Sequence, residues 1–144
     1  MAKSVNKREY TREQILKLVA ERQEMLVLFC QLAGLDPYNT NEPVDLKLKA
    51  FCQKMIDYIA AGDFAIYDRL SNGGERRQQV LEVAAHVYSC IEDTTDVALA
   101  FNDKYDEHDH VLDYSNLTND LAMLGEVMSN RADYEDRLID ALVS

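Results

Sequence analysis

The chain of 144 residues has no tryptophan, only two prolines and only five glycines, so turns are few. Cysteine is sparse as well. Cys30, Cys52 and Cys90 are odd in number, show no CxxC spacing and lie in segments with helical apolar periodicity. They therefore read as reduced thiols of a cytoplasmic protein and not as a disulfide framework or a zinc site. No segment approaches the roughly 18 to 20 consecutive apolar residues of a membrane span, and no apolar run follows the basic N-terminus MAKSVNKREYTREQ. Neither export nor membrane insertion is expected. Positive charge is also short, with 15 Lys and Arg against 26 Asp and Glu and a net charge of -11. Affinity for duplex nucleic acid comes mainly from cations that neutralise phosphates, so direct nucleic-acid binding is not expected. An acidic protein suits a basic partner instead.

What is present is the composition of a folded domain, 47% hydrophobic and 28% charged. One helical domain over residues 1–144 is expected, with residues 1–10 as a flexible N-terminal extension. Thr11 and Gln14 have capping-box spacing. Ile15, Leu18, Val19, Met25, Leu26, Phe29 and Leu32 then recur at helical intervals toward Gly34. The turn residues of DPYNTNEP precede a second helix from about Asp45 to Ala61. Gly62 stops it, and Asp63 can cap a short helix through Leu70. After the SNGG loop, a third helix over about residues 75–105 carries Val80, Ala84, Val87, Ile91, Thr95, Ala98 and Phe101 on its inner stripe. A fourth, over about residues 115–143, carries Leu117, Leu121, Leu124, Met128, Leu138 and Leu142. No strand-length run alternates. The expected fold is all-α, a four-helix bundle with an additional short helix.

Charge is uneven along the chain. Residues 1–22 hold six Lys or Arg against three Glu, whereas residues 91–113 hold eight Asp or Glu against one Lys. Catalytic signatures are thin. A di-iron bundle needs Glu-x-x-His pairs, and none occurs. In Glu107, His108, Asp109 and His110 the two histidines would diverge on a helix, so no metal and no cofactor are expected. Cys52 has no evident base, and SNGG lacks the length and the lysine of a phosphate loop. No catalytic residue is assigned.

The run FCQKMIDYIAAGDFAIYDRL, residues 51–70, places Asp57 among aliphatic and aromatic side chains. An unpaired carboxylate is costly to bury, so Asp57 either reaches solvent or meets a donor inside the bundle. With Gly62 opening the backbone and Phe64 and Tyr67 following, the run can form a shallow apolar groove with a negative charge at its margin. Tyr58, Phe64 and Tyr67 would supply apolar contact or shape its wall. Such a surface fits a helix that carries Arg or Lys.

At these residues the sequence resembles the regulator of sigma D/AlgQ family of bacterial anti-sigma factors. AERQEMLVLFCQLAGL in the first helix and EDRLIDALV at the end of the fourth carry the likeness over about residues 12 to 143. The resemblance implies an all-α protein that binds the primary sigma subunit of RNA polymerase, chiefly its basic C-terminal promoter-recognition domain. Asp63 and Arg22, which stand in the matched runs, join Asp57, Tyr58, Phe64 and Tyr67 as candidate partner-binding residues. Two positions depart from the family pattern. Asp63 stands where histidine is common, which makes the run more negative, and Leu18 stands where tryptophan is common, which removes a large anchor. A monomer or a weak dimer is expected. The alternatives are a bundle that regulates another protein and a small bundle metalloenzyme.

Overall fold

The computed structural model describes residues 2–36, 38, 40–62, 77–106 and 113–143, with side chains from residue 11 onward. Four helices make up the described residues: α1 (Ala2–Ala33), α2 (Val44–Gly62), α3 (Gln78–Lys104) and α4 (Leu117–Val143). The additional short helix expected after Asp63, the SNGG loop and the run Glu107 to His110 lie outside the described residues.

Each helix buries one seam. In α3 the buried residues are Val80, Ala84, Val87, Ile91, Thr94, Ala98 and Phe101, spaced alternately four and three apart. In α4 they are Leu121, Leu124, Met128, Arg131, Glu135, Leu138 and Leu142, on the same alternation. A seven-residue repeat keeps the seam facing its neighbours when the helices cross at a shallow angle, as in four-helix bundles. α1 packs mainly on α2, and α3 mainly on α4. Phe29 against Phe51, Phe51 against Phe101 and Phe29 beside Gly125 bring α1's C-terminal part, α2's N-terminal part, α3's C-terminal part and α4's N-terminal part to one end. The topology is therefore up-down-up-down, two antiparallel hairpins laid against each other.

Local chemistry explains the helix ends. Leu35 N–H donates to Cys30 C=O at 2.9 Å and Gly34 N–H to Gln31 C=O at 3.2 Å, a Schellman termination. Gly34 takes the left-handed conformation this requires, with φ 71°. The start of α1 differs from the sequence expectation. The helix begins at Ala2 and runs through Thr11, so the capping-box spacing there marks no helix start. At the α3–α4 corner, Asp120 accepts from Lys104 Nζ at 2.7 Å and from the Tyr105 hydroxyl at 2.5 Å. These two donors, Lys104 first, hold the Asp120 carboxyl below its ordinary value. At the other end, Arg77 Nη2 donates to Leu142 C=O at 2.8 Å, placing a cation on a helix C-terminus that favours one.

Candidate partner-binding surface and the polar layer beneath it

The two seam positions of α4 that are not apolar, Arg131 and Glu135, are both fully buried. They lie one helical turn apart, and Arg131 Nε reaches Glu135 Oε2 at 3.3 Å. Arg131 Nη1 also donates to Thr95 Oγ1 at 2.7 Å, Thr94 Oγ1 at 3.1 Å and Ile91 C=O at 3.4 Å on α3. Its guanidinium lies 5.5 Å from the centre of the Tyr58 ring, within reach of a cation–π contact. Glu135 Oε1 accepts from the Tyr58 hydroxyl on α2 and pairs with Arg22 Nη1 on α1 at 3.5 Å. One polar layer thus crosses all four helices and joins the two hairpins. Burial pushes the Glu135 carboxyl up, against the opposing pull of Arg131, Tyr58 and Arg22. Burial first, and then the Glu135 charge, raise the Tyr58 hydroxyl as well. Apolar packing encloses the layer, with the rings of Phe29, Phe51, Phe101 and Tyr105 on one side.

The sequence-predicted residues divide around this layer. Tyr58 is fully buried, so of its two expected roles it can shape the wall but offers no surface contact. Arg22 Nη2 binds Asp136 at 2.9 Å and its Nη1 reaches Ala132 C=O at 3.4 Å, which leaves the guanidinium engaged with α4. Tyr58 and Arg22 meet through Glu135. Asp57 stands apart, with 45% of its side chain exposed. Its neighbours are Gln53 Nε2 at 3.5 Å and Lys54 Nζ at 4.0 Å, both on its own helix. Of the two roles open to Asp57, this geometry favours the solvent-facing one. Lys54 is held by Glu24 at 2.9 Å and Glu21 at 3.2 Å, so three carboxylates surround one ammonium and the α1–α2 flank stays negative. Asp63, Phe64 and Tyr67 lie outside the described residues.

Leu18 is fully buried, so this position packs in the core and offers no surface anchor. The third helix buries Thr94 where the sequence pattern pointed to Thr95. Arg131 and Glu135 escaped sequence reasoning altogether. Their one signal is spacing, because the alternation through Leu121, Leu124 and Met128 passes through both of them before reaching Leu138.

Chemistry at the thiol is suppressed. Burial, reinforced by the Asp106 charge, pushes Cys52 up to about 12, which keeps it protonated at neutral pH. Among the described residues no group of three or more His, Cys, Asp or Glu side chains is placed to hold a metal ion. No helix among them is long and apolar enough to cross a membrane.

A helical bundle with a carboxylate-rich flank suits a protein that binds a basic partner. The chain belongs to the Rsd/AlgQ family, regulators of the RNA polymerase sigma(70) subunit, whose family model matches residues 1–143. It is similar to the regulator of sigma D of Yersinia pseudotuberculosis serotype O:1b, with 30% identity over 125 residues, covering 82% of this chain and 72% of the relative. It is likewise similar to the regulator of sigma D of Salmonella arizonae, with 33% identity over 125 residues, covering 82% of this chain and 74% of the relative. No solved structure matches the chain.

Proposed function

We propose that the protein captures the primary sigma subunit in the cytoplasm through sigma's basic C-terminal promoter-recognition domain. Capture withholds that domain from core polymerase and from the promoter's -35 element, and so favours alternative sigma factors. The family match over residues 1–143 carries this reading. Two physical features support it. The net charge of -11 complements a basic helix-turn-helix, and the half-exposed Asp57 beside Glu21 and Glu24 gives that charge a place on the α1–α2 flank. The mechanism is occlusion, so no catalytic group or cofactor takes part. The protein acts as a monomer, or as a weak dimer that gives way to a one-to-one complex.

Association between surfaces of opposite charge is steered, and salt screens the steering over a Debye length of about 8 to 10 Å. The on-rate for the C-terminal domain of the primary sigma from the same genome should therefore fall at least about tenfold between low salt and about 0.5 M salt. Stopped-flow mixing measures it. An on-rate indifferent to salt contradicts electrostatic capture.

A further inference from the structure

A surface helix usually sets apolar residues on one side and polar residues on the other. α1 departs from this, because Ile15, Leu18, Met25 and Leu32 face the core while Leu16, Val19 and Leu26 are exposed, Leu16 at 59%. Exposed apolar residues taken singly are ordinary and carry nothing. Leu26, however, opens onto a groove of about 170 Å³ between α1 and α4, with Met25, Phe29 and Met128 on its walls. Gly125 gives the Phe29 ring its place there, since a Cβ on that residue would come within 2.8 Å of Phe29 Cζ. A cavity of about 150 Å³ accommodates benzene, so the groove has room for one leucine or phenylalanine side chain. Asp133 lines its α4 side, and Arg22, also on the wall, is paired with Asp136 at 2.9 Å just beyond the lining. Across the α1 ridge lie Glu21, Glu24 and Asp57.

We infer that the α1–α4 groove is a docking site for a basic amphipathic helix, which inserts one large apolar side chain beside Leu26 and sets Lys or Arg against Asp133. The inference rests on the sigma reading and extends it. The bound domain straddles α1, touching the Asp57 flank on one side and the groove on the other. An apolar anchor in a pocket, rimmed by complementary charge, is the arrangement that concentrates binding energy at protein interfaces.

The test uses the full chain and the C-terminal domain of the primary sigma from the same genome, titrated by calorimetry. Leu26→Lys puts a cation at the groove mouth, facing a cationic helix, and should weaken binding at least about tenfold. Because Leu26 is already 39% exposed, the melting temperature should hold within about 2 °C. A second measurement does not depend on the variant. With methyl-labelled methionine, the Met25 and Met128 resonances should shift on complex formation while that of Met55, buried on α2, stays in place. Wild-type affinity in Leu26→Lys, or unmoved Met25 and Met128 signals in a formed complex, overturns the groove and leaves the sigma reading intact. Failure of the wild-type chain to bind the domain overturns both.

Discussion

Replacing Arg131 with methionine lowers the stability of the fold by about 3 to 5 kcal/mol, the usual cost of removing one partner from a buried ion pair. The size follows from the surroundings. Arg131 and Glu135 are fully buried, and the substitution removes the donor to Thr94, Thr95 and Ile91 C=O. It also leaves Glu135 with only the Tyr58 hydroxyl and the more distant Arg22. A domain has roughly 5 to 15 kcal/mol in total, so the loss is a large share. The triple variant Arg131→Met, Glu135→Leu and Tyr58→Phe removes the interdependent groups together. It should recover to near wild-type stability, because well-packed apolar replacements of buried ion pairs are often neutral or better. Urea titration followed by circular dichroism measures both variants. A single variant that costs less than about 1 kcal/mol would mean that the layer is open to water.

The layer also bears on why these hairpins pair in one register. Sliding α4 by one heptad would set Arg131 and Glu135 against apolar layers with only each other as partners, whereas the native register adds Thr94, Thr95, Tyr58 and Arg22. A polar residue at a core position is the best-attested device for fixing register in helical assemblies.

Asp57→Asn weakens the complex with the sigma C-terminal domain by more than tenfold, about 1.4 kcal/mol, while leaving the melting temperature unchanged. Among the described residues the carboxylate meets only Gln53 and Lys54 on its own exposed face, so the near-isosteric amide costs the fold little. In the proposed complex it would pair with a partner cation, and truncating such a pair costs about 2 to 5 kcal/mol when it is desolvated but under about 1 at a wet rim. Melting and affinity are measured on the same variant. A drop in melting temperature with unchanged affinity would return Asp57 to a structural role, and a stable variant with wild-type affinity would remove it from the interface.

Much of the bundle was legible in the sequence because apolar periodicity states it directly. Val80 through Phe101 and Leu121 through Leu142 repeat at helical spacing, and Gly34 marks the end of α1 through its left-handed backbone. The polar layer was not legible. Pattern reading sends Arg and Glu outward by their solvation, and only the partners on three other helices, fixed by tertiary structure, make their burial tolerable. The same limit placed Thr95 inside in place of Thr94, since adjacent residues on a helix differ by only about 100° and the repeat alone does not choose between them. Asp57 stood out as a carboxylate among apolar neighbours, but sequence left open whether it faced solvent or a buried donor. Tyr58, one residue on, turns fully into the core.

The central claim is occlusion of sigma, and competition with core polymerase tests it most directly. Fluorescently labelled primary sigma is mixed with core enzyme at matched concentrations, and holoenzyme is followed by anisotropy as the protein is added. The account predicts that holoenzyme formation falls in proportion to the protein added and is abolished at saturation, with Asp57→Asn shifting the titration to more than tenfold higher concentration. Undiminished holoenzyme at saturating protein would contradict it.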